Sequence, residues 1–498
     1  MNSVQAIDFS AVAPAAGPAL ALIVILLVDA FAPRGAKLSR VHDLIALLGL
    51  VGAGGAVAWL VRTDDPAATL CSPDPLGCSY ISSGLTWTLQ GLVVGAAVVC
   101  LMLAVDSDVA ADRTPHHVLF LTATAGALTL AGARDLATLV VALETASLPV
   151  IGLVALRRDA RGAQAGVTLL FTAVASLGIM LSGVALLLLS TGSLHLNRIA
   201  FVLSSPELDH SVRAVAVLGT LLVVAGIGFK VSVVPFHWWT PDTYAGTSLP
   251  VAAFLGAVSK IAGVSAMVIF LTIGLPVLGD SSAPVLGALA VLTITVGNLV
   301  ALRQRIAVRL LAWSTVAQAG WVLLPLAAVG ASKPSAARDA AAASIGYLVA
   351  YVVAGLAAFG VVIVLARRHP DGEQHSLQAY RGLARTHPAA GIVLGFALLC
   401  LAGLPPGVIG LVAKVVALQP VVDAGMWPVA VLAALNVALG LIYYLRWAAL
   451  LVQQPEGEPR SWKVTPAEVL ALGAACLACV VLSAAPELAA GIVPDMIR

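Results

Sequence analysis

The sequence predicts an all-α integral membrane protein of about fourteen transmembrane helices, two of them broken, and three observations carry that prediction. Of 498 residues, 60% are hydrophobic and only 10% charged, where a soluble chain carries about 25% charged residues. Apolar runs of about 20 residues recur along the whole length, the signature of helices that cross a bilayer. The basic residues are also distributed unevenly between alternate loops. Barrel-type alternation of polar and apolar residues is absent.

Reading breaks at charges and at Pro/Gly clusters places the spans at 13–32, 42–62, 84–104, 116–132, 136–156, 164–190, 213–241 (broken), 250–274, 283–302, 310–329, 343–366, 388–420 (broken), 427–450 and 466–486. The start, MNSVQAIDFSAVAP, lacks a basic stretch, so the first apolar run reads as a retained span rather than a cleaved signal. No segment between spans is long enough for a separate soluble domain. Residues 1–498 therefore read as one polytopic domain in the lipid bilayer, with no basic soluble part to bind nucleic acid.

Orientation follows from the positive-inside rule. With both termini outside, the inner loops hold sixteen Lys/Arg residues, among them Arg34, Lys37, Arg40, Arg157, Arg158, Arg161, Arg303, Arg305, Arg309, Arg367 and Arg368. The outer loops and tails hold seven: Arg62, Arg134, Arg198, Arg213, Lys333, Arg338 and Arg498. The remaining four, Lys230, Lys260, Lys414 and Arg446, fall within spans.

Arg446 reads as reaching the inner interface, and the three lysines are the candidate functional residues. Three of only six lysines lie inside spans. Together they would cost about 10 kcal/mol if they faced lipid, so they must face protein or water. A desolvated lysine can release its proton near neutral pH where an arginine cannot, so buried lysines suit a proton relay. Glu144, in LVVALETASLPV, is an intramembrane acid that needs a cation on another helix, and Lys230 is a candidate. Lys230 precedes Pro235 by five residues, and Lys414 follows the break LAGLPPG (401–407) by seven. Broken helices are tolerated at membrane depth only where protein or a hydrated cavity surrounds them, and paired breaks point to an internal repeat.

Other residues are secondary. His237 can buffer protons or make a structural hydrogen bond. Trp238 and Trp239 read as interfacial anchors, Tyr443 and Tyr444 as packing residues, and Tyr347 and Tyr351, one turn apart, likewise. Segments 194–203 and 375–388 have the spacing of short surface helices. Cys71 and Cys78, in CSPDPLGC, permit either a loop-closing disulfide or two free thiols. Cys100, Cys400, Cys476 and Cys479 lie in apolar runs and read as packing. No GxGxxG, P-loop, paired CxxC motifs or haem motif is present, so no redox cofactor is expected in this chain.

The segment FKVSVVPFHWWTPDTYAGTSLPVAAFLGAVSKIAG resembles the signature of the antiporter-like membrane subunits of respiratory complex I, in the form carried by subunit N of NADH-quinone oxidoreductase. LETASLP, TGSL, GNLVAL, RLLAWSTVAQAGWVL, YRGLA, LAGLPPGVIGLVAK and LNVALGLIYYLR extend the resemblance in order along most of the chain. It implies two inverted five-helix repeats (116–274 and 283–450), flanked by helices in 1–104 and 466–498. It also implies that Glu144 modulates the charge of Lys230, that Lys260 connects onward, and that Lys414 reaches the outer half-channel. NADH, FMN, iron–sulfur clusters and quinone would then sit in partner subunits. Subunits K and M would be neighbours, with J, A and H in the same arm of a plasma-membrane complex. A multi-subunit Na+/H+ antiporter is the alternative. The chain departs from the family's pattern at 165–173, which lacks a lysine, at Ala245, where an acid is usual, and at Gln318, where histidine is frequent.

Overall fold

The computed structural model describes residues 7–32, 36–71, 77–105, 113–274, 279–331, 335–367, 376–455 and 464–487. Arg34, Lys333, Arg368 and Arg498, the side chain of Lys37, and the first six residues lie outside the described residues.

The first two helices, α1 (Phe9–Phe31) and α2 (Ala36–Thr63), run side by side. Asp8 caps α1 by accepting the Ser10 amide at 2.9 Å, satisfying one of the free donors at the helix start. Glycines let the pair approach closely: a Cβ at Gly17 would lie 2.5 Å from the Gly49 carbonyl oxygen. A hairpin of β1 (Ala67–Cys71) and β2 (Cys78–Ser82) follows, antiparallel with Ala67 opposite Ser82 and Cys71 opposite Cys78. This hairpin is the one sheet among the described residues of a fold that is otherwise helical, as expected. Of the two cysteine states left open by the sequence, the structure has the Cys71–Cys78 disulfide.

Next come α3 (Gly84–Ala104), α4 (Arg113–Leu130), α5 (Leu136–Ala155), α6 (Ala160–Thr191) and the short α7 (Leu196–Leu203), the last where a surface helix was expected. Asp135 and Asp159 cap α5 and α6, accepting the amides of Thr138 and Gly162. The first broken span consists of α8 (His210–Val231), a turn over 232–238, and α9 (Trp239–Gly246). Ser232 closes α8 at φ +70°.

The following span is interrupted too, which the sequence reading missed. It divides into α10 (Leu249–Gly256) and α11 (Val258–Ile269) at Ala257, and α11 ends in a π-helical turn, Phe270–Gly274. Then come α12 (Gly279–Ala301), α13 (Ala307–Leu323), tightened to a 3-10 turn over Leu324–Ala328, and α14 (Ala336–Ala366). The expected surface helix at 375–388 is two pieces instead. A 3-10 turn, Leu377–Tyr380, and the single turn α15 (Leu383–Thr386) are separated by Gly382 at φ +72°. The second broken span is α16 (Pro388–Ala402) and α17 (Val408–Asp423), parted at Gly403, φ +80°. The last helices are α18 (Trp427–Val452) and α19 (Pro466–Ala484), the latter opened by a Thr465/Glu468 capping box.

Among the described residues, twelve helical segments are long and apolar enough to cross a membrane. The other two expected spans are α4, whose first turns carry His116 and His117, and the broken α16–α17, whose halves are each too short alone. Burial separates centre from periphery. In the most apolar stretch of α10–α11, 94% of residues are buried, against 28% in α6. The helices that carry the kink and the polar groups are thus wrapped by others that present Phe171, Leu189 or Val431 outward.

Two helix pairs are locked by glycine in the same way. A Cβ at Gly126 of α4 would lie 2.4 Å from the Ala146 nitrogen of α5. One at Gly297 of α12 would lie 2.5 Å from the Ala317 nitrogen of α13. Neither position has room for any side chain.

Candidate proton path

At the first break the backbone itself creates the site. Where α8 stops at Val231, the carbonyls of its last turn lose their helical partners. Lys260, from α11, fills that gap: its Nζ donates to the carbonyl oxygens of Lys230 (3.3 Å) and Val231 (3.1 Å) and to the Ser232 hydroxyl. Ser232 in turn pairs with Thr240 of α9 at 2.5 Å. The Lys260 ammonium also sits 4.9 Å from the Trp239 ring centroid, a cation–π contact. Trp239 is only 2% exposed and donates its indole N–H to the Phe229 carbonyl. It is a wall of this site rather than an interfacial anchor, a role left to the 71% exposed Trp238.

Lys230 points the other way, toward α5. Its Nζ donates to the Ser147 hydroxyl at 2.7 Å and lies 3.5 Å from the Glu144 carboxylate. Ser147 donates to the second Glu144 oxygen at 3.1 Å. Residues 144 and 147 are one helical turn apart, so α5 offers carboxylate and hydroxyl together to one ammonium. All three charged groups are buried: Glu144 is 8% exposed, Lys230 5% and Lys260 2%.

Lys414 is not part of that cluster. At the second break its Nζ donates to the carbonyls of Ala402 (2.5 Å) and Leu401 (3.3 Å), again the freed end of a stopped helix. A few hydroxyl groups stand in the otherwise largely apolar space between the two lysine sites. The Tyr351 hydroxyl donates to the Gly256 carbonyl (2.8 Å), beside the Ala257 kink, and to Thr315 of α13 (3.1 Å). Tyr351, Thr315, Ser314, Gly256 and Leu401 line one small cavity of about 10 Å3, about the size of one water. That cavity reaches from the α10–α11 kink to the residue whose carbonyl holds Lys414.

Beside it runs a second network. Tyr444 of α18 pairs with Ser314 and accepts from Gln318 (3.0 Å), and Tyr347 donates to Gln318 (2.5 Å). Tyr443 continues it to Asn298, and Asn298 to Asn436. Tyr347, Tyr351, Tyr443 and Tyr444 therefore carry hydrogen bonds and are not simple packing residues. Ser314, Thr315, Asn298 and Asn436 were missed. Polar residues recurring inside apolar runs, each needing a partner at membrane depth, were the available signal. His237 is 3% exposed and packs against Trp238 and Trp313. Arg446 donates to the Leu302 and Gln304 carbonyls. Among the described residues no group of three or more His, Cys, Asp or Glu could hold a metal ion.

Two broken helices, each with a buried lysine at its break, place the fold among antiporter-like membrane subunits. The chain belongs to the NADH:quinone oxidoreductase/Mrp antiporter transmembrane family, whose profile matches residues 133–440. It is 42% identical over 468 residues to NADH-quinone oxidoreductase subunit N 2 of Streptomyces griseus, covering 92% of this chain and 85% of that protein. Subunit N of Salinispora tropica is 43% identical over 465 residues, covering 91% and 86%. Among solved structures, a chain of respiratory complex I from Thermus thermophilus superposes with a TM-score of 0.79 at 28% identity, covering 97% of this chain and 99% of that one. A chain of the Mrp complex from Dietzia sp. superposes at 0.84 with 21% identity, covering 97% and 96%, which establishes shared fold alone. The resemblance to subunit N seen in the signature motifs is thus matched along nearly the whole chain.

Proposed function

We propose that this chain is the proton-translocating membrane-arm subunit of an NADH-quinone oxidoreductase, in the position its subunit N relatives occupy. The observation that carries the reading is the three-residue cluster Glu144–Lys230–Lys260 at one helix break, with Lys414 held the same way at the other. Glu144 and Ser147 compete for the Lys230 ammonium. Drawing Glu144 away removes the only carboxylate paired with it among the described residues, which makes the proton easier to release. The proton then passes by Lys260, Tyr351 and Thr315 to Lys414, and leaves on the far side. His237, Gln318 and Tyr347 are secondary participants.

Two inverted repeats, 116–274 and 283–450, would place the two breaks in corresponding positions. The matching glycine locks of α4–α5 and α12–α13 support this division. By that correspondence Thr315 stands where Glu144 stands in the first half, two residues before the locked alanine in each case. The loops rich in arginine face inward, so both termini lie outside a bacterial plasma membrane. Subunits K and M would be immediate neighbours, with J, A and H in the same arm. NADH, FMN, iron–sulfur clusters and quinone would be held by partner subunits.

The test is NADH-driven proton uptake into inverted membrane vesicles carrying Lys230→Met or Lys414→Met. Pumping should fall at least tenfold with the complex still assembled. Undiminished pumping in both variants would overturn the proposal. Sodium movement without redox turnover would move the chain to the cation/proton antiporters.

A further inference from the structure

A polar cavity of about 300 Å3 opens at the end of the bundle where the arginine-rich turns gather, away from the lysine chain. Arg161, Gln164 and Thr168 line it from the first three turns of α6, Asp242 and Ala245 from α9, and Arg309 from α13. Arg309 and Asp242 form an ion pair at 3.3 Å across its mouth. Charge here is not balanced: the lining holds two arginines, Arg161 and Arg309, against one acid, Asp242, and the next acid in sequence is Asp159. Asp159 is already committed, accepting from the Gly162 amide at 2.7 Å and from Arg157 at 2.8 Å. Below the cavity, α6 presents an exposed apolar strip of Val167, Leu170, Phe171 and Val174.

We infer that this cavity binds the headgroup of an anionic phospholipid, with its acyl chains lying along the exposed strip of α6. A phosphodiester offers two acceptor oxygens to the guanidiniums of Arg161 and Arg309, the arrangement arginine serves best. Gln164 and Thr168 add neutral donors one and two turns deeper. Basic pockets between membrane helices on the inner side take such headgroups for this reason. An apolar strip directly beneath the charge separates a lipid from a soluble phosphate. Asp242 opposes the ligand and sets its affinity: it holds Arg309 when the cavity is empty and must yield that guanidinium to the phosphate. The bound lipid would tie α9, the far half of the broken span, to α6 and α13.

The experiment uses the intact complex, extracted in neutral detergent, with phospholipid content measured by mass spectrometry. Wild type should retain one more anionic phospholipid per chain than Arg161→Gln/Arg309→Gln. Added phosphatidylglycerol should raise the unfolding temperature of wild type and of Arg161→Lys/Arg309→Lys, a control for folding, but not of the double glutamine variant. Asp242→Asn should bind phosphatidylglycerol about fivefold more tightly, the effect of one charge near a membrane surface. Equal lipid retention in wild type and the glutamine variant would overturn the inference, and so would equal stabilisation by phosphatidylcholine. Stabilisation by inorganic phosphate alone would reassign the cavity to a soluble anion. Loss of stability in Asp242→Asn with unchanged lipid affinity would make the ion pair structural only.

Discussion

Replacing Gly403 with alanine tests whether the second break holds Lys414 in place. Gly403 has φ +80°, and a Cβ there would lie 3.0 Å from the Lys414 Nζ and 3.3 Å from Gly410 backbone atoms. The left-handed conformation alone costs an alanine about 1–2 kcal/mol. The methyl group also pushes the ammonium off the Ala402 carbonyl, and a hydrogen bond to a charged group is worth about 1.5–3 kcal/mol. Gly403→Ala should therefore cost about 2.5–5 kcal/mol and slow pumping, because the group displaced is the proposed carrier. Gly425 supplies the control: it has φ +74° with nothing within 4 Å of its absent Cβ. Gly425→Ala should cost only the conformational part, about 1–2 kcal/mol, and leave pumping intact. Thermal unfolding of the solubilised complex and vesicle pumping measure both variants. Equal stability loss in the two, with unimpaired pumping by Gly403→Ala, would refute the reasoning.

Tyr351→Phe should leave the Gly256 carbonyl and Thr315 without their shared donor, costing about 1 kcal/mol of stability. It should also slow pumping more than Tyr380→Phe, a buried tyrosine with no role in the path. Glu468→Gln removes the charge that pairs with Arg367 at 2.6 Å. Arg367 keeps its hydrogen bond to the Leu103 carbonyl, so the loss is that of one charge-assisted bond, about 1.5–3 kcal/mol, and this variant should be recovered at reduced level, as read by quantitative blotting of membranes. Cys71→Ser opens the loop that the disulfide closes, eight residues with both cysteines counted. By loop-closure entropy it should cost about 2.5 kcal/mol and leave pumping unchanged, since the hairpin touches neither lysine site.

The membrane spans, both breaks and the four central charges were legible in the sequence because each has a local signal. An apolar run marks a span, Pro or Gly marks a break, and a charge inside an apolar run stands out by its cost. What was illegible depends on partners distant in sequence. Ser147 reads as a small polar residue until Lys230, 83 positions away, is seen to donate to it. Tyr444 looks like packing until Ser314 and Gln318 meet it from α13. Trp239 and Trp238 are neighbours with opposite fates, because the turn at 232–238 carries one inward and leaves the other at the surface. The interruption at Ala257 carries no proline, and Gly256 before it is one glycine among the chain's 45. It is set by tertiary contact, with Tyr351 capturing the Gly256 carbonyl that a continuous helix would keep.

The glycine locks at Gly126 and Gly297 have a mechanical consequence. With backbones in van der Waals contact, α4–α5 and α12–α13 behave as two stiff struts that cannot slide past one another without breaking that contact. Compliance is left to the short turns at 232–238 and 403–407, where the helices have already given up their internal hydrogen bonds. Displacement of a neighbouring subunit would then not be absorbed by bending throughout the bundle. It would be concentrated, as by a hinge between two rods, at the two points where a lysine is held.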